Sequence, residues 1–171
     1  MRIIDVVADS PGGYSHYTIW KNSTVRNMFE KGLIPKKHFL IADSTYPLEL
    51  WLMTPYDEVN TPRQQQYNAL HQNSLRIIRK CIYHLKSQFK ILKQDVGFKL
   101  LYTPDKVSKI ILACCILYNI CLKYNTDEDD SDMLDEEIDN TITNEINSGD
   151  IVPEDLAEQG FVLRSEIASE L

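Results

Sequence analysis

No stretch of this chain comes near the roughly 20 consecutive apolar residues that a membrane-spanning helix needs, and the opening Met1-Arg2-Ile3-Ile4-Asp5 has no signal-peptide hydrophobic core. Neither membrane insertion nor secretion is expected. Cysteine is scarce: Cys81, Cys114, Cys115 and Cys121 are the full set, with no C-x-x-C pair and no histidine at finger-like spacing. These thiols read as small buried hydrophobes rather than metal ligands. The histidines (His16, His38, His71, His84) are scattered and read as surface or half-buried side chains, and no internal repeat is visible. Positive charge is scarcest near the end, where residues 126–171 hold 1 Lys or Arg against 16 acidic side chains, a net −15. Residues 1–125 hold 17 against 9, a net +8.

That division predicts a basic globular part, 1–125, joined to an acidic, largely disordered tail, 126–171. With 171 residues and 43% hydrophobic content the chain suffices for one ordinary domain with a core. The basic part suits phosphate; the tail either competes for that surface, contacts a basic partner, or merely keeps the chain in solution.

Residues 2–8 read as a strand stopped by Ser10-Pro11-Gly12-Gly13, and residues 17–31 as one loosely patterned helix broken by Gly32. A second strand, His38 to Ala42, places Asp43 at its carboxyl end, where open α/β sheets collect ligands. A short apolar segment, Leu48 to Met53, follows. Leu75, Ile78, Ile82, Leu85, Phe89 and Leu92 then recur at steps of three and four, the spacing of an amphipathic helix. Gly97 separates that helix from Leu100-Leu101-Tyr102. Thr103-Pro104-Asp105 supplies an N-cap, an N1 proline and an acidic first turn. The helix it opens carries Val107, Ile110, Ile111, Cys114, Leu117, Tyr118 and Cys121 on a face wide enough to predict heavy burial. The run Asp127 to Asp132 is too charged to pack, and residues 133–147 and 162–170 are expected to form at most exposed helices.

Four blocks carry a resemblance to a known family: Pro11-Gly12-Gly13 with Trp20-x-Asn22-Ser23; Leu40 to Pro47 continuing into Trp51-Leu52-Met53-Thr54-Pro55; Tyr67-Asn68 with the helix through Phe89; and Ile110 to Ile120. Together they resemble the DDE nuclease domain of PIF/Harbinger transposases and their domesticated nuclease derivatives. The resemblance implies an α/β, RNase H-like core, a mixed sheet with flanking helices, that cuts DNA with two divalent ions, Mg or Mn, held by two aspartates and a glutamate. Asp43 matches the second aspartate. The glutamate falls in a segment that here reads Ile77-Ile78-Arg79-Lys80, so Arg79 stands at the third-ligand position. The first aspartate would lie upstream of residue 1, so the expectation is a partial fold without its first strands, from an incomplete chain or a decayed gene copy. The family's His-Asp pair after Pro-Gly is replaced by Ser15-His16.

One carboxylate cannot hold two hard cations, so cleavage is not expected. Glu49, Asp57 and Glu58 follow Asp43, but none stands at the helix position of the third ligand. Two readings of Arg79 remain open: a lost ligand, or a guanidinium pairing with Asp43 where metal once sat. Asp43 itself reads either as a relict ligand or as a turn-capping aspartate. Arg76, Lys80, Lys86, Lys90 and Lys93 line the polar side of the same helix, either as phosphate contacts or as a solvated face. The resemblance also implies nuclear residence and a separate Myb-like DNA-binding partner.

Overall fold

The structure, a computed structural model, describes residues 1–10, 13–93, 102–124 and 152–171. Two compact units divide them. The Asp43 unit comprises the described residues within Tyr14–Arg76 and Asn144–Leu171; the α4 unit comprises those within Met1–Gly13 and Ile77–Thr143.

The Asp43 unit opens on two short helices, α1 (His16–Lys21) and α2 (Thr24–Glu30), where one was expected. Serine chemistry breaks the segment. Ser15 Oγ accepts from the Thr18 amide at 3.1 Å, and Ser23 Oγ accepts from the Arg26 amide at 3.1 Å. Each hydroxyl thus satisfies a free amide of a new helix start. Gly32 ends α2 at φ +66°, with its amide on the Phe29 carbonyl and the Leu33 amide on that of Met28, both at 2.9 Å. A left-handed closing residue of this kind favours glycine.

Strand β1 (Leu40–Ile41) lies parallel to β2 (Leu52–Met53), with Leu40 opposite Leu52 and Ile41 opposite Met53. These helices and the two-strand sheet are consistent with an α/β class. The described sheet is parallel, not mixed; its antiparallel element is an isolated bridge between Glu49 and Leu52. Tyr17, Trp20, Phe29, Ala42 and Leu52 form the core beside it.

Helix α3 (Pro62–Gln88) starts on a reciprocal cap: the Gln64 amide donates to Thr61 Oγ1, and Gln64 Oε1 accepts the Thr61 amide. Residues 62–76 of α3 belong to the Asp43 unit and 77–88 to the α4 unit. A 3₁₀ turn, Lys90–Leu92, follows its end. The periodicity marked this helix correctly, but its outer apolar residues Ile78 and Ile82 are exposed.

In the α4 unit, α4 (Pro104–Lys123) begins at Thr103 with proline in its first turn, as the sequence indicated, although the threonine side chain makes no capping bond. Burial is narrower than predicted. Cys114, Cys115 and Tyr118 are buried, whereas Leu117 is 49% exposed. Cys81, Cys114 and Cys115 are buried and Cys121 is half-buried, and burial raises the thiols of Cys114 and Cys115 above their ordinary range. The expected strand at residues 2–8 does not form. Its backbone is bound by α4 side chains instead: the Ile3 amide donates to Asn119 Oδ1 at 2.9 Å, Asn119 Nδ2 donates to the Ile3 carbonyl at 2.7 Å, and Ser108 Oγ donates to the Ala8 carbonyl. A β-rich sequence becomes a strand only when another strand completes its ladder.

The final helix, α5 (Glu154–Glu170), is longer than the expected 162–170 and is not an exposed one, since Gly160, Arg164 and Ala168 are buried. The expectations for Pro11-Gly12, Gly97 to Leu101, the acidic run and the helix at 133–147 fall outside the described residues. Among the described residues no helix is long and apolar enough to cross a membrane.

Because the Ser23 hydroxyl caps the start of α2, Ser23→Ala should lower the stability of the full chain by about 1 kcal/mol, measured by urea unfolding. No change would show that the cap is dispensable.

Candidate functional site at the strand ends

Asp43 follows directly on the β1 ladder, whose last bond runs from the Ala42 amide to the Met53 carbonyl at 3.0 Å. Its half-buried carboxylate turns back on its own loop: Oδ1 accepts from the Thr45 amide at 2.9 Å and from the Thr45 hydroxyl. The Asp43 carbonyl accepts from the Tyr46 amide at 3.2 Å. This is an Asx turn, which holds the side chain at a fixed place beside the strand end. The Tyr46 phenol is raised above its ordinary range, by burial first and by the Asp43 charge second. His16 stacks on its ring at 5.0 Å.

Beneath the strand ends sits His71, buried, from the third turn of α3. Its Nε2 lies 3.2 Å from the Met53 carbonyl, and since a carbonyl only accepts, Nε2 carries the proton. Burial pushes this imidazole below its ordinary range; the Met53 and Ala42 carbonyls and Asp43 oppose that shift, and Arg164 adds to it.

Arg164 enters from α5. Its guanidinium donates to the carbonyls of Pro55 at 2.8 Å and Thr54 at 3.3 Å, and lies 4.0 Å over the Tyr56 ring. Tyr67 Oη donates to the same Thr54 carbonyl at 3.3 Å, and burial pushes its phenol up to about 12. Neither His71 nor Arg164 was singled out from the sequence. Arg164 left a signal, as the one basic residue of 126–171.

Of the other acidic candidates, Glu49 is fully buried, its Oε2 accepting from Trp20 Nε1 at 2.8 Å and Arg26 Nε at 3.2 Å. It is a core ion-pair partner of α2. Asp57 and Glu58 are exposed. Arg79 lies half-buried on α3 in the other unit; along the same polar side Lys80 and Lys86 are half-buried, and Arg76, Lys90 and Lys93 exposed. Among the described residues no group of three or more His, Cys, Asp or Glu converges on a point where a metal ion fits. With Oδ1 of Asp43 holding two Thr45 donors and His71 Nε2 on a carbonyl, the residues around Asp43 do not match a two-cation centre.

The class is set by the family comparison: the model described as DDE superfamily endonuclease matches residues 1–119. The chain belongs to that family. It is 36% identical over 125 residues to the human protein named "Putative nuclease HARBI1", and 35% identical over the same length to its rat counterpart, in each case across 73% of this chain and 35% of the relative. Arabidopsis thaliana "Protein ALP1-like" is 28% identical over 137 residues, 71% of this chain and 32% of that one. The chain thus spans about a third of the length of these relatives. No solved structure matches it.

Because folding holds His71 neutral, the unfolded chain binds a proton there that the folded chain does not. The stability this site contributes is full above about pH 6.5 and is lost as pH falls below it. The urea midpoint should therefore drop between about pH 7 and about pH 5.5, and His71→Gln should flatten part of that drop. An identical slope in the variant would contradict this assignment.

Proposed function

We propose that this chain is a transposase-derived DDE endonuclease domain with an RNase H-like ancestry, acting by binding and no longer by cleavage. The observation that carries the reading is the state of Asp43, the relict second ligand, whose Oδ1 is committed to Thr45 while among the described residues no group of three or more His, Cys, Asp or Glu gathers to hold a metal. By resemblance Arg79 stands at the family's glutamate position, so that ligand is absent from the sequence. The family's Mg- or Mn-dependent chemistry needs several carboxylate oxygens per cation. Restoring glutamate at position 79 alone leaves that requirement unmet.

The retained role is contact with DNA in the nucleus. Lys80, Lys86, Lys90 and Lys93 supply phosphate contacts from the α4 unit, and Arg76 supplies another from the Asp43 unit, each treated as a separate contact. Every phosphate neutralised adds salt-sensitive affinity without sequence preference. A second reading is an interaction module for a Myb-like DNA-binding partner. It is favoured by the outer face of α4, where Leu112, Ile116 and Ile120 recur four residues apart at 41%, 60% and 46% exposure. Exposed apolar faces of this kind mark partner surfaces.

One set of measurements decides. The full chain should leave supercoiled plasmid intact with Mg²⁺ or Mn²⁺, yet bind duplex DNA with an affinity that falls as salt rises. Replacing Lys80 and Lys86 by alanine should weaken binding to all sequences alike and reduce the salt slope by about 2. Nicking that disappears in Asp43→Ala would overturn the reading. Capture of a Myb-like protein without DNA affinity would select the second one.

A further inference from the structure

The residues around Asp43 do not suit the family's metal ions, yet the site does contain a cation. We propose that Arg164, delivered by α5, is the resident cation of the strand-end site and balances the charge of Asp43 in place of a divalent ion. The proposal rests on reading Asp43 as the relict ligand.

Both charges are anchored just beyond the ends of the same strand pair. Leu40 faces Leu52 and Ile41 faces Met53, and the ladder continues through the Ala42 amide to the Met53 carbonyl. Asp43 comes next on one side, and Thr54 and Pro55 come next on the other. The latter two are the residues whose carbonyls hold the Arg164 guanidinium. The aspartate and the carbonyls that anchor the cation thus both follow the carboxyl ends of one strand pair. His71, on the Met53 carbonyl, lies within the field of both charges.

The energetics of Arg164 demand such a role. It is only 9% exposed, and among the described residues no carboxylate lies within ion-pair reach of it. Two carbonyls and the Tyr56 ring partly solvate the charge, and Nε has no partner among the described residues. A buried cation so incompletely compensated is costly unless a nearby anion offsets it. The residue is also held on purpose-shaped backbone. A Cβ at Gly160, one turn before Arg164, would stand 2.6 Å from the carbonyl carbon of Glu49, so only glycine lets α5 come this close. Ala168, one turn after, closes against Tyr56 and Tyr67. All three residues lie outside the 1–119 family match.

The test is a double-mutant cycle in the full chain, using Asp43→Asn, Arg164→Gln and the pair, with folding equilibria from urea unfolding and Arg164→Lys as the charge-keeping control. The pair should be more stable than the summed single effects predict, by roughly five-fold or more in the folding equilibrium constant, and Arg164→Lys should retain most of that coupling with Asp43. Melting temperature of the unmodified chain should be the same in EDTA and in Mn²⁺. Additive single effects would overturn the proposal while leaving the relict-ligand reading intact. So would a Mn²⁺-dependent rise in melting temperature that Asp43→Asn abolishes. Asp43-dependent plasmid cleavage, by contrast, would overturn the earlier reading and this proposal together.

Discussion

The contact between Gly160 and the backbone of Glu49 is the constraint on which the Asp43 unit depends. A helix normally keeps its neighbours a side chain away; here the missing Cβ lets α5 touch the turn that leads into β2. That approach puts Arg164 within reach of the Thr54 and Pro55 carbonyls and seats Ala168 against the two tyrosines. The same turn is gripped from the other side by Trp20 and Arg26, which fix the Glu49 carboxylate. A strand pair of two residues each is too short to hold itself. Elements distant in sequence, α1, α2, α3 and α5, hold it by side-chain bonds instead.

The consequence for chemistry follows from charge. A metal-dependent phosphodiesterase brings several carboxylates together and lets divalent ions relieve their repulsion. In this unit the strand ends carry one aspartate, turned onto its own loop, a neutral buried imidazole and a guanidinium. The balance is reached with fixed side chains. On the proposal that Arg164 balances Asp43, such a site needs no metal, which moves the functional question from cleavage to binding.

Much of the framework was legible in the sequence, because it rests on local rules. The three- and four-residue steps from Leu75 marked α3, Thr103-Pro104 marked the start of α4, and the apolar run before Asp43 marked a strand end. What escaped depended on distant partners. Arg2 to Ala8 has the composition of a strand, but Asn119 and Ser108 bind it as a single extended segment. The stretch 17–31 has helical spacing, yet Ser23 divides it, a capping role that periodicity does not reveal. His71 is an ordinary histidine until α3 places it under two strand ends. Arg164 stood alone among acidic residues, a clue whose meaning needed Gly160 to be seen against Glu49.

The account makes α5 an integral part of the Asp43 unit, and hydrogen exchange on the full chain tests this most directly, with Gly160→Val beside the unmodified protein. If the close approach holds α5 in place, valine should expose the amides of residues 154–170 and loosen those of Leu52 and Tyr56, while α4 keeps its protection. Unchanged protection of α5 and of the strand ends in Gly160→Val would contradict it.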